Sequence, residues 1–244
     1  MHQPRKLNEL SGYQLRTIDG DDAKMTQIYF DDQHWTVRYF IVHTQSMQSG
    51  QGVLVVPSVI KKIDEENKTV EMDVTMDQIN QCPSANTVLP VSHHYKQESG
   101  HYQGWTPYWV ADPIFGAVPL NPPHTPEEDF KVPEQQQLRS SNEVIGYLIQ
   151  AEDGEIGQVE DFIVEDPDWK IRYLEINTSN WLLGKKVLIA PTWIQQVSWT
   201  DKQVMINLSR EAIQSAPAYD PSKLISRDYQ LKLYKYYGKK FHQD

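Results

Sequence analysis

Three histidines and a carboxylate stand close together at His93, His94, Glu98 and His101. Imidazole and carboxylate together can hold zinc or another divalent ion. The spacing fits no standard zinc motif, however, and the matching positions in the second half of the chain are Arg227, Asp228 and Lys235, which cannot repeat the set. The reading is therefore no metal, with the histidines as solvated or capping groups. Cys82 is the only cysteine, which excludes an internal disulfide and a cysteine cage. It falls between Gln81 and Pro83 at the end of a helical stretch and matches Ala216, so it reads as a small apolar side chain rather than a nucleophile. The chain contains no GxSxG, no phosphate-binding P-loop, no GxGxxG after a strand and no HExxH. The sequence thus predicts no catalytic residues, no cofactor and no enzyme.

Composition narrows the field further. With 244 residues the chain is longer than one compact domain needs, and 39% hydrophobic residues with 13 Tyr and 7 Trp argue for an ordered core. The net charge of -10, with no dense Lys/Arg run, argues against nucleic acid as a partner. "MHQPRKLNEL" lacks an apolar secretory core, and no stretch reaches the roughly 18 apolar residues of a membrane span. The expected location is cytoplasmic.

The elements that position these residues are written twice. "HWTVRY" at 34–39 returns as "DWKIRY" at 168–173, a step of 134 residues, as from Gly12 to Gly146. The step superposes Asp19-Gly20 on Asp153-Gly154, Trp35 on Trp169, Arg38-Tyr39 on Arg172-Tyr173, Pro57 on Pro191 and Lys68 on Lys202, without a gap. A period this long marks a duplicated domain rather than a solenoid. The predicted division is 1–105, a linker over 106–143 rich in Pro, acid and Gln, and 144–244.

Within the second copy, "YLIQAEDG" reads as a strand into a turn, "IGQVEDFIVED" as an alternating strand stopped at Pro167, and "KIRYLEIN" and "VLIA" as further strands. "IQQVSW" and "QVMINL" flank a turn at Thr200-Asp201-Lys202. Helices then follow, capped by Ser209 and Ser226 and, in the first copy, by Thr75. Many short strands followed by a helix predict a mainly β chain of two tandem small antiparallel barrels, each followed by short helices. Trp35 and Trp169 follow acidic turns, where a large ring can close a barrel end. Arg38 and Arg172 are mid-strand, where an arginine lies across an aromatic ring or pairs with a turn carboxylate; Asp32 and Asp166 are the expected partners.

The copies differ most in apolar loop surface. Trp181, Leu182 and Leu183 replace Met47, Gln48 and Ser49, Trp193 replaces Val59 and Trp199 replaces Glu65. These five are the candidate protein-docking residues; the alternative is that they pack on the first copy, the linker or a twin chain.

"DGEIGQVEDFIVED", "WKIRYLEINT" and "GKKVLIAPTWIQQVSW" resemble the PRC-barrel family, well over 146–219 and more weakly over 12–83, where Ala23 stands in the place of Gly157. That family includes the cytoplasmic domain of the photosynthetic reaction-centre H subunit and the C-terminal barrel of a small-subunit ribosome maturation factor. The resemblance implies a small, mostly antiparallel barrel and brings no catalytic motif. It implies a protein-binding or scaffolding module, with an accessory role at a membrane electron-transfer complex or a role in ribosome assembly as alternatives. The expected partners are an unidentified protein, the other half of the chain as an intramolecular pseudo-dimer, and further copies as a homo-oligomer.

Overall fold

The computed structural model describes residues 3–20, 23–45, 47, 52–82, 84, 85, 138–178 and 185–240. These fall into two compact units. The N-terminal unit is drawn from 11–139, and the C-terminal unit from 140–244 together with the first ten residues of the chain. The sequence division, which kept 1–105 in one piece, did not anticipate that exchange.

The chain is mainly β, as its alternating pattern implies. The C-terminal unit contains β1 (Gln3–Lys6), β9 (Leu148–Ala151), β10 (Gly154–Asp166), β11 (Lys170–Asn177), β12 (Lys186–Ile189), β13 (Ile194–Ser198) and β14 (Gln203–Ile206). The path runs β13-β14-β9-β10-β11, with β12 on β11 and β1 on β10. The N-terminal unit holds β2 (Gln14–Arg16), β3 (Ala23–Asp31), β4 (Thr36–Thr44), β5 (Val53–Val55), β6 (Ile60–Asp64) and β7 (Thr69–Met72), in the path β4-β3-β2-β7-β6 with β5 on β4. β8 (Leu138–Ser140) pairs with β3.

β1–β10, β9–β10, β10–β11, β11–β12, β13–β14, β2–β3, β3–β4, β4–β5 and β6–β7 are antiparallel, and β14–β9 and β2–β7 are parallel, so the pairing within each unit is mixed. Among the described residues the strand path of each unit stays open, where the sequence reading expected closed barrels. 3-10 turns at Pro191–Trp193 and Pro57–Val59 separate β12 from β13 and β5 from β6, and neither pair forms a ladder. Proline has no N–H to offer such a ladder.

The step of 134 holds in three dimensions. Ile60, Lys62, Ile63 and Asp64 face Met72, Glu71, Val70 and Thr69; Ile194, Gln196, Val197 and Ser198 face Ile206, Met205, Val204 and Gln203. Among the described residues four non-glycine residues adopt positive φ, and they form two matched pairs, Trp35 with Trp169 and Lys68 with Lys202. The Asp19 and Asp153 carboxylates of the two Asp-Gly turns accept from Met76 N–H at 2.8 Å and Arg210 N–H at 2.7 Å, the first amides of helices Met76–Asn80 and Arg210–Ser215. Thr75 and Ser209 cap the same helices, as their sequences predict. Ser226 caps Arg227–Tyr236, and Gly238, at φ +64, ends it through Lys239 N–H on Tyr234 C=O.

Ile28 and Phe30 of β3 are fully buried two residues apart, whereas the fully buried Ile156, Val159 and Phe162 of β10 are three apart, because irregularities between Glu155 and Gly157 and between Val159 and Asp161 reset the alternation. Gly157 shows why the two copies are not interchangeable residue for residue. It sits at φ +156, and a Cβ there would come within 2.2 Å of Asn177 C=O. β3 has Ala23 at the same place and pairs it with Leu15 in the register that Gly157 keeps with Ile149.

Candidate functional site

The repeated arginines hold carboxylates, though not those the sequence suggested. Arg38 donates through Nε to Asp31 at 2.6 Å, and Asp31, fully buried, also accepts from His34 N–H at 2.5 Å. Arg172 binds Glu165 through Nε and Asp168 through Nη2 at 2.9 Å. The expected partners Asp32 and Asp166 are engaged elsewhere: Asp32 by Arg139 at 3.1 Å and Asp166 by Arg5 at 2.5 Å. Arg5 and Arg139 are again one repeat step apart, so the arginine pairs serve the same architectural purpose in both units. Tyr173 is buried and donates to Gln230 at 3.1 Å, and burial raises its phenol above the ordinary range. Tyr39 is equally buried.

A second polar group exists in the C-terminal unit alone. Glu175, on β11, is fully buried. Lys6 reaches its Oε2 at 2.7 Å from β1, and Lys186 reaches its Oε1 at 2.8 Å from β12 while also meeting Glu160 at 2.5 Å. Asp161, 2% exposed on β10, accepts from Phe162 N–H at 2.8 Å and Asn8 N–H at 3.3 Å. Lys6 also lies 5.7 Å from the ring of Tyr219, within cation–π range. Burial drives the Asp161 carboxyl up to about 7, against the amides of Phe162 and Asn8 and the charge of Lys6, which pull it down. Desolvation opposes the Lys186 ammonium, yet its bonds to Glu160 and Glu175 leave it above the ordinary lysine value. Burial likewise raises the Tyr219 phenol.

The equivalent positions in the N-terminal unit are Ser140 for Lys6, Gln27 for Asp161, Ile41 for Glu175, Gly52 for Lys186 and Ala85 for Tyr219. Ile41 there joins an apolar cluster with Tyr39 and Leu54, flanked by Ala85 and Leu138. Gly52 fits the change: a Cβ on it would meet Ile41 Cγ2 at 2.5 Å. One unit fills this place with hydrocarbon, the other with two lysines around a buried carboxylate. The sequence reading did not single out Lys6, Asp161, Glu175 or Lys186. The available signal was two acidic residues on the core-facing side of β-strands, at positions where the other copy has Gln and Ile.

A carboxyl poised near neutrality can exchange a proton at physiological pH, but Asp161 is closed off from substrates by its burial. An open cleft of about 650 Å³ in the N-terminal unit is lined by Tyr13, Lys24, His43 and Thr44, among others. Cys82 is buried, donates to Gln78 C=O at 3.3 Å, and is pushed by burial to about 12, which keeps it a thiol.

The candidate docking residues separate into two groups. Trp181, Leu182 and Leu183 lie outside the described residues, as do His93, His94 and His101. Trp193 is turned inward, 4% exposed, with its ring 5.2 Å from Tyr234 and 4.7 Å from Tyr237 at the C-terminal helix. Trp199 is half-buried, 6.1 Å from the Tyr147 ring. Among the described residues no cluster of three His, Cys, Asp or Glu side chains is placed to hold a metal ion. Among the same residues no helix is long and apolar enough to cross a membrane.

Residues 137–213 match the PRC-barrel domain family. The match spans β8 to the helix Arg210–Ser215, and so covers Asp161, Glu175, Lys186 and the Arg172 pairs. No curated protein matches the chain.

Proposed function

We propose that this chain is a non-enzymatic, cytoplasmic protein-binding or scaffolding module made of two PRC-type units that arose by duplication. The observation that carries the reading is the repetition of architectural detail at a step of 134: the same register in both hairpins, the same positive-φ tryptophans, and an arginine on a strand carboxylate at the same place. Asp31, Glu165, Asp166 and Glu175 hold strands and turns through arginine and lysine partners. Asp161 and Glu175 are neutralised inside the fold, and Cys82 is a protonated, buried thiol. A surface built on a frame so extensively paired is suited to presenting loops to another protein.

The test is affinity capture of the tagged full chain from its host, followed by reconstitution with each purified candidate. A partner that re-forms a stoichiometric complex supports the module. Reconstitution with ribosomal subunits moves the reading to ribosome assembly, and with a membrane electron-transfer complex to an accessory subunit, both within the range of roles the PRC-barrel family suggests. A purified chain that turns over a small molecule and binds no protein overturns it.

A further inference from the structure

The N-terminal strand is not interchangeable with its counterpart, and the reason is visible in what it meets. β1 pairs antiparallel with the end of β10, Gln3 to Lys6 facing Asp166 to Ile163. Behind that edge stand Glu175 and Asp161. Arg5 meets Asp166, Lys6 meets Glu175, and Asn8 N–H meets Asp161, while Leu7 and Leu10 are buried. The counterpart segment, β8, offers Leu138, Arg139 and Ser140 to β3, beside Ile41. The arginine is common to both segments and cannot discriminate between the two edges. The residue that differs in charge is Lys6 against Ser140, and what differs behind the edge is Glu175 against Ile41.

We propose that the edge of β10 over Ile163–Asp166 is a receptor for a strand carrying Arg-Lys before a leucine, and that the Lys6–Glu175 pair addresses the chain's own N-terminal strand to it. Placed on β3, Lys6 would take the part-buried place of Ser140, where the position of Glu175 is held by the buried Ile41, and a part-buried ammonium that loses its carboxylate is disfavoured. Placed on β10, Ser140 would leave Glu175 with Lys186 as its one cation. Both errors act in the same direction, so a single pair of substitutions between the copies is enough to fix which strand enters which unit. The device is the sheet counterpart of a lone polar position that sets register in a coiled coil.

The test replaces Pro4 with a benzophenone amino acid in the full-length chain and maps the photo-captured peptide by mass spectrometry. Capture on 163–166 is expected in the parent chain, within one molecule or between copies, since the address is the edge itself. In the Lys6→Ser/Glu175→Ile chain, which transplants the N-terminal unit's pair, capture on 29–32 should rise by about tenfold or more relative to 163–166. Capture spread over both edges in the parent chain, or a folded double variant whose capture stays on 163–166, would overturn the proposal. Should the double variant not fold, Glu175→Gln serves instead, because it removes the charge with little change of shape. Faster hydrogen exchange at 163–166 in that variant supports the address, and unchanged exchange there refutes it.

Discussion

Asp161 is a residue whose charge the fold resists. Burial pushes its carboxyl up to about 7 from the ordinary aspartate value of 3.8, so the folded protein keeps this proton more tightly than the unfolded chain does. Its contribution to stability is complete below pH 3.8 and is lost as pH rises through 7. Asp161→Asn retains an acceptor oxygen for the Phe162 and Asn8 amides without the charge. The variant is expected to gain on the parent as pH rises from 4 to 7 and to exceed it above pH 7 by up to about 4 kcal/mol, since one pKa unit is worth about 1.4 kcal/mol. Urea midpoints across that range measure the difference, and parallel curves would contradict it. The two repeated arginines give a contrast at the same scale. Asp31 is fully buried and the Glu165 side chain is 13% exposed. Arg38→Ala should therefore cost about 3–5 kcal/mol, the penalty of breaking a buried ion pair and leaving the carboxylate to the His34 contacts alone. Arg172→Ala should cost about 1–3 kcal/mol in the same urea assay. The sequence showed that these arginines would meet carboxylates but named the neighbouring ones. Asp31 is the last residue of β3, paired with Thr36 after the irregularity between Tyr29 and Phe30, whereas Asp32 already belongs to the turn, and a sequence pattern does not say which of the two ends the strand.

At the scale of elements, local chemistry carries most of the information. The helix Arg210–Ser215 is too short to persist by its own hydrogen bonds. It is held by Ser209 on Ala212 N–H, by Asp153 on Arg210 N–H, and by Lys185, which donates to the carbonyls of Gln214 and Ala216 at its far end. Ser209→Ala is expected to lower stability by about 1 kcal/mol, read from the thermal midpoint and its enthalpy; no change would mean that Asp153 alone suffices. Ser209, Ser226 and Thr75 were legible as caps because capping acts over three residues of sequence. Strand ends at Pro167 and at the Asp-Gly turns were legible for the same reason. Closure was not legible. Whether β12 and β13 pair depends on the direction the chain takes through Pro191–Trp193, and a sequence pattern gives a strand's faces without giving its heading. Nor was the inward turn of Trp193, which depends on a helix more than thirty residues further along the chain bringing Tyr234 and Tyr237 against it.

For the whole molecule, the repeat was the most legible feature and the exchange of first strands the least. Matching residues one step apart can be found by sliding the sequence on itself. That Lys6 belongs with Glu175 cannot, because the two are far apart in the sequence, in different halves of the chain, and their counterparts in the other unit are a serine and an isoleucine. The account stands on each half of the chain being completed by a strand from the beginning of the other. Hydrogen exchange on the Arg5→Pro/Lys6→Pro chain tests this most directly, since two successive prolines remove the N–H donors of β1 on both its edges. The expected result is a loss of protection at Ile163–Asp166 of β10, with Tyr29–Asp31 of β3 unchanged. Loss at Tyr29–Asp31 instead, or unchanged protection on both strands, would contradict it.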